Sequence, residues 1–268
     1  MRICLAQLDC ALGDLDANAR AASEAIAQAR EGGADLVVFP ELALCGYSLA
    51  GVRGETTTGE AQLRAIAGDA SALLCYRERD GERTFNSAAY LERGGIVHVH
   101  RKVHLVDYPP FGETSLFAAG EDMRAFTTAL GRFAVLICND AWQPALPPIA
   151  AADGARVLLM PACSATAVAE AEPYWRGLTC FYARMLACYV VFSNRVGSER
   201  GLDFWGCSHV VDPSGEIVAQ APRLEPSLTM ADVDLGAVAR RRDRLRLPTE
   251  LRPEVLREEL ARLAADAP

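Results

Sequence analysis

Lysine is all but missing from this 268-residue chain. Of its 27 Lys and Arg residues, 26 are arginine, and Lys102 alone is lysine. Drift would leave a single lysine anywhere. A need for a compact primary ammonium, which a planar guanidinium cannot imitate, would fix it at position 102. Composition does not separate the two. Long apolar runs are missing as well: the longest, residues 185–192, falls far short of the ~18 residues of a membrane span. The first residues turn polar before a signal-peptide core could form, so no leader is expected. Basic charge is in deficit, with 27 basic against 35 acidic residues and a net charge of −8, which weakens any nucleic-acid reading. The one basic cluster, residues 240–246, reads as a solvated face. Nine cysteines are present, an odd number with no C-x-x-C pair, so zinc and dithiol redox signatures are excluded. Reduced thiols in a cytoplasmic protein are expected, most of them serving as small core residues. Gly-x-Ser-x-Gly is absent and there are only four histidines, which removes the usual support for a serine–histidine hydrolase.

What is present is an ordinary globular composition, 51% hydrophobic and 23% charged. Short apolar runs predict strands over 2–8, 36–39, 72–76, 133–137, 157–160, 189–193 and 228–234. Hairpins are expected over 85–101, around Glu92-Arg93-Gly94-Gly95, and over 209–220, around Pro213-Ser214-Gly215. Helical spacing predicts helices over 16–31, 58–67, 144–153, 173–188, 235–244 and 253–265. Strands and helices alternate, but with hairpins between them, so one α/β domain with mixed sheets is expected.

Three of these strands run into a reactive side chain. Val37-Val38-Phe39-Pro40 leads to Glu41, the strand ending at Arg101 leads to Lys102, and Ala134-Val135-Leu136-Ile137 leads to Cys138. A carboxylate, an ammonium and a thiol brought together make a nucleophilic site. The carboxylate takes the thiol proton, and the ammonium lowers the thiol pKa and stabilises an oxyanion. Taken singly, each has a plainer reading: a turn glutamate, a core cysteine. His98 and His100 alternate on one strand face and read as structural or partly solvated.

Their order and local motifs resemble the nitrilase superfamily of carbon–nitrogen hydrolases. The motifs are Phe39-Pro40-Glu41-Leu42 followed by Gly46-Tyr47, His100-Arg101-Lys102-Val103-His104-Leu105, and Leu136-Ile137-Cys138-Asn139-Asp140-Ala141-Trp142. Phe85-Asn86-Ser87, Phe111-Gly112-Glu113 with Phe117 and Gly120, Asn194-Arg195-Val196-Gly197, Phe204-Trp205-Gly206-Cys207-Ser208 and Asp212-Pro213-Ser214-Gly215 also fit. The resemblance covers residues 1–234. It implies a four-layer α-β-β-α sandwich with two mixed β-sheets in a single domain over 1–268, with 235–268 as a C-terminal helical tail. It implies a homodimer or higher homo-oligomer that stacks helical layers. It also implies Cys138 as nucleophile, Glu41 as general base, Lys102 as stabiliser of the tetrahedral intermediate and Glu113 as the second glutamate, with the Asn139 N–H completing an oxyanion hole. No metal or cofactor is implied, and no nucleic-acid or membrane partner. One departure is Met185-Leu186, where many members carry Glu-Asn; packing is expected to replace a buried polar contact there.

Substrate is less legible. Asn139-Asp140 stands where nitrilases have Trp-Glu, and Ala141-Trp142 where hydrolases of N-carbamoyl amino acids have two arginines that grip a carboxylate. A small linear amide, uncharged or apolar near the reacting carbon, is therefore expected, with an N-carbamoyl compound or a nitrile as the alternative. Trp142 either lines that pocket or packs on the following helix; Tyr47 and Trp175 are further lining candidates. A non-catalytic scaffold is the rival class, and a thiol redox protein would need a resolving cysteine near Cys138 that the sequence does not reveal.

Overall fold

The structure is a computed structural model that describes residues 1–246 and 250–265. In chain order the strands are β1 (Arg2–Gln7), β2 (Leu36–Val38), β3 (Ala72–Asp80), β4 (Arg83–Glu92), β5 (Gly95–Arg101), β6 (Phe126–Thr128), β7 (Gly131–Val135), β8 (Val157–Ala162), β9 (Tyr189–Asn194), β10 (Val196–Glu199), β11 (Leu202–Trp205), β12 (His209–Val211), β13 (Ile217–Gln220) and β14 (Ser227–Asp232). The helices are α1 (Leu15–Glu31), α2 (Glu60–Ala67), α3 (Asn139–Trp142), α4 (Leu146–Ala152), α5 (Ala171–Leu186), α6 (Leu235–Arg244) and α7 (Pro253–Ala265).

Two six-stranded sheets form, in the orders β14-β1-β2-β3-β4-β5 and β13-β12-β9-β8-β7-β6. Each is mixed: β1, β2 and β3 run parallel, as do β7, β8 and β9, while the flanking strands pair antiparallel. The period-2 geometry of a strand assigns its side chains to the layers. Ile3 and Leu5 of β1 face the other sheet, where Val135, Leu159 and Val191 meet them. Cys4 and Ala6, one position out of phase, face α1 and α2. In the second sheet Ala134, Leu158 and Phe192 face α4 and α5. Both faces of both sheets are thus covered, which explains the near-continuous apolar runs. The result is the expected α-β-β-α sandwich.

Helix α1 follows from local rules. The Asp14 side chain accepts from Ala17 N at its start, Gly32 closes it, and its buried face is Ala22, Ala25, Ile26 and Ala29, at i, i+3, i+4 and i+7. Some expectations need correction. The strand predicted over 72–76 runs on to Asp80, because its antiparallel pairing with β4 continues to the Asp80–Arg83 turn. The helix predicted over 144–153 begins only at Leu146. Strands β6, β10 and β11 were not predicted; each is only three or four residues long, too short for an alternation to announce it.

The C-terminal segment is not uniformly a tail. Helix α6 docks: Val238 is buried, and Arg242 donates to the carbonyls of Ala155 and Ala187 at 2.6 and 3.1 Å. The arginine cluster is therefore only partly a solvated face, since Arg242 anchors α6 to the body. Helix α7 buries no residue, and 266–268 lie outside the described residues. At the Met185-Leu186 departure, Leu186 packs into the core as expected, but Met185 points outward and is 39% exposed.

Candidate active site

Glu41, Lys102 and Cys138 arrive from two sheets. The turn after β2 carries Glu41 to a fully buried position, and Lys102 follows β5 and is also fully buried. Lys102 is fixed at both backbone atoms: its N–H donates to Asn86 O at 2.8 Å, and its carbonyl accepts from Gly120 N at 2.7 Å. Gly120 is required there, because a Cβ would lie 2.1 Å from Arg101 O. Cys138 sits where the chain leaves β7 and enters α3, with φ at +47°, a conformation costly for a non-glycine residue and retained where the surroundings enforce it. Its N–H donates to Pro161 O at the end of β8, and that bond holds the turn.

The charged groups interlock. Lys102 Nζ donates to Glu41 Oε1 at 2.8 Å and to Glu113 Oε1 at 2.7 Å. Glu41 Oε1 also accepts from Asn86 Nδ2 at 2.8 Å, and its Oε2 accepts from Cys163 N at 2.8 Å. Glu113, in a short 3-10 turn, accepts from the Tyr47 hydroxyl at 2.6 Å and from Val106 N at 3.0 Å. The Asn139 side chain donates to His104 O at 3.2 Å. Its backbone N–H finds no acceptor among the described residues and remains available to a ligand.

Burial pushes the Cys138 thiol well above the ordinary cysteine range, and Glu41 adds to that push while Lys102 opposes it. The expected lowering by the ammonium is thus outweighed: Lys102 is already neutralised by two carboxylates, and the site as a whole favours a protonated thiol. Burial likewise raises Glu41; Lys102 counters that, while Glu113 adds to it. For Lys102, burial pulls the ammonium down, but Glu41 and Glu113 overcome it and leave its pKa well above the lysine value. The arrangement holds the thiol toward its protonated form and the ammonium toward its charged form, beside a carboxylate raised above its ordinary value.

Above these groups lies a small cavity of about 30 Å³, where roughly 10–15 Å³ holds one water. Cys138, Asn139, Tyr47, Trp142 and Trp175 line it, together with Tyr108, Phe111, Val106, Val168, Cys163, Ser164 and Ala165; among the described residues no charged side chain does. Trp142 lines the cavity, as the first reading has it, and its ring stacks on Tyr174 of α5, with centroids 4.1 Å apart, not on a ring of α4, the helix that follows it. His100 is buried, with Nε2 3.0 Å from Asp140 Oδ2, and His98 stacks on Phe126, so both are structural. Among the described residues no group of three or more His, Cys, Asp or Glu is placed to hold a metal ion.

Several residues of the site were missed. Asp140 is fully buried and accepts from the N–H groups of Ile137, Val103 and His104, tying the loop after Lys102 to the Cys138 turn. Its place two residues after the thiol was the available signal. Cys163 brings a second thiol to the cavity, with Sγ 3.0 Å from Glu41 O; nothing local in Ala162-Cys163-Ser164 points to it.

Fold and site together define the nitrilase superfamily. The carbon–nitrogen hydrolase family model matches residues 2–243, and the chain belongs to that family. It is 32% identical over 248 residues to a glutamine-dependent NAD(+) synthetase of Thermotoga maritima, with 88% of this chain but 42% of that protein covered. The chain thus spans less than half the length of the NAD(+) synthetases it matches. It is 29% identical to a nitrilase of Pyrococcus abyssi, covering 90% and 93% of the two chains. The solved NitN amidase of Nesterenkonia sp. AN1 superposes with a TM-score of 0.83 at 26% identity, covering 96% of this chain and 99% of that one.

Proposed function

We propose that this protein hydrolyses the carbon–nitrogen bond of a small, uncharged linear amide through a thioester on Cys138. Glu41 takes the thiol proton as Sγ attacks the carbonyl carbon. The oxygen that gains charge faces the Lys102 ammonium and the Asn139 N–H. The intermediate collapses, Glu41 returns the proton to the nitrogen, and ammonia leaves. Water, deprotonated by Glu41, then attacks the thioester; the acid departs and Sγ regains a proton. Glu113 holds Lys102 in place, and Tyr47 holds Glu113.

The observation that carries this reading is the single lysine, buried between two carboxylates at 2.8 and 2.7 Å beneath a cavity that holds the thiol and no charged side chain. That lining favours an uncharged acyl group. It disfavours glutamine, whose carboxylate and ammonium need charged partners, and N-carbamoyl amino acids, whose carboxylate needs one. The likeness to a protein described as an amidase supports the same choice. The test is ammonia release from a panel of short amides, N-carbamoyl compounds and nitriles. Turnover of the amides above the others is expected; turnover confined to nitriles or carbamoyl compounds would refute the substrate reading.

The proposal extends to assembly and location. The outer helical layer exposes Ile149 on α4 and Phe181 and Met185 on α5, apolar surface suited to a second copy in a homodimer or higher homo-oligomer. Among the described residues no helix is long and apolar enough to cross a membrane. Nine free thiols suit a reducing cytoplasm.

A further inference from the structure

Ser164 occupies an unusual position in the cavity wall. Its Oγ accepts from Trp175 Nε1 at 3.1 Å and from Trp205 Nε1 at 3.1 Å, and all three side chains are more than nine-tenths buried. A hydroxyl oxygen offers two lone pairs and one proton. An indole N–H can only donate, so both lone pairs of Ser164 are taken by groups that cannot reverse their role. The hydroxyl is left with one capacity, to donate. Among the described residues no acceptor takes that proton: the other polar bonds of Ser164 are from its N–H to Asn194 Oδ1 and from Asn194 Nδ2 to its carbonyl. Ser164 lines the same cavity as Cys138.

We propose that Ser164 determines specificity by donating its hydroxyl proton to a neutral acceptor oxygen on the substrate's acyl group. The substrate class narrows from short amides in general to short primary amides with an ether, carbonyl or similar oxygen on the acyl chain. The acceptor is neutral because no cation among the described residues lines the cavity to meet a carboxylate. It belongs to the acyl side because a primary amide has no substituent on nitrogen. A purely hydrocarbon chain leaves the hydroxyl proton buried and unpaired, which penalises that substrate. The inference rests on the amidase reading above.

The test compares isosteric pairs: methoxyacetamide with butanamide, and 3-methoxypropanamide with pentanamide. Wild-type protein is expected to favour one ether over its hydrocarbon partner by about three- to tenfold in kcat/KM. In Ser164→Ala that preference falls to the intrinsic reactivity ratio measured in alkaline hydrolysis without protein. Ser164→Ala also strands two indole N–H groups and lowers stability. The ratio of two substrates on one preparation cancels the folded fraction, and the wild-type comparison needs no variant. Equal kcat/KM within both pairs in wild type, after correction for intrinsic reactivity, overturns the role of Ser164, as does a preference unchanged in Ser164→Ala. Failure to release ammonia from any of the four amides overturns the amidase reading itself, and this inference with it.

Discussion

Replacing Lys102 by arginine keeps the charge and changes only its shape. The chain already uses arginine at 26 other positions, so a surface cation would tolerate the swap. At this site the ammonium is fully buried, with carboxylate oxygens at 2.8 and 2.7 Å. A guanidinium is longer and planar, and its fork would turn both donors onto one glutamate or push into the cavity beside Cys138. Overfilling a packed site costs about 1–3 kcal/mol, which for a chain of this size lowers Tm by roughly 2–10 °C. The variant is therefore expected to fold. Loss of one oxyanion donor alone costs about 10²–10³ in turnover. The expected outcome is a soluble protein with kcat/KM for the best amide reduced at least a hundredfold, read by ammonia release and normalised by a thermal melt. Activity within about fivefold of wild type, in a variant with a clean melt, would refute the mechanism.

Glu41→Gln is expected to cost about 10²–10⁴ in rate while Lys102 keeps its bond to Glu113 and the fold survives; a folded variant with near-wild-type turnover would remove the general-base role. The pH profile carries a sign. Glu41 works ionised and burial raises its pKa, so kcat/KM should fall on the acid side with an apparent pKa above the ordinary glutamate value of about 4.3; Lys102, raised well above its usual value, gives no loss at moderately alkaline pH. Iodoacetamide, itself a small amide, should label Cys138 before the other eight cysteines at neutral pH, read by peptide mass spectrometry, because Glu41 takes the thiol proton as the bound reagent reacts. The lead should vanish in Glu41→Gln; first labelling of Cys180, the other partly exposed thiol, would count against the nucleophile. Phe181→Glu on α5 should shift a dimer toward monomer in light scattering, and a wild-type monomer at micromolar concentration would remove the assembly proposal.

The parts of this molecule that were readable in its sequence are those where chemistry and pattern coincide locally. Glu41, Lys102 and Cys138 each end or follow an apolar strand, and the apolar runs themselves follow from burial on both sheet faces. Glu113 and Tyr47 were reached through family motifs, and the structure joins them by a 2.6 Å bond. What stayed hidden depends on distant partners. Cys163 meets Glu41 across 122 positions. Ser164 draws its meaning from Trp175 and Trp205, which no local spacing links to it. The direction of the thiol pKa was misjudged for a related reason: it depends on how deeply Cys138 is buried and how many carboxylates share one ammonium.

The site also straddles the seam between the two sheets. Glu41 and Lys102 belong to one and Cys138 to the other, and the Glu41–Cys163 bond is a clamp across that seam. Reacting groups must be held to within roughly 0.5 Å of productive geometry. The apolar layer between the sheets, built from residues such as Leu5, Val38, Val135 and Leu159, thus serves as an alignment spacer as well as a core. A missing methylene there that the fold survives still lets one sheet settle against the other. Such a change is expected to cost about 0.5–1.5 kcal/mol of stability and, in addition, to misregister the reacting groups. Substitutions between the sheets are therefore expected to lower catalysis as well as stability, by shifting Glu41 and Lys102 against Cys138.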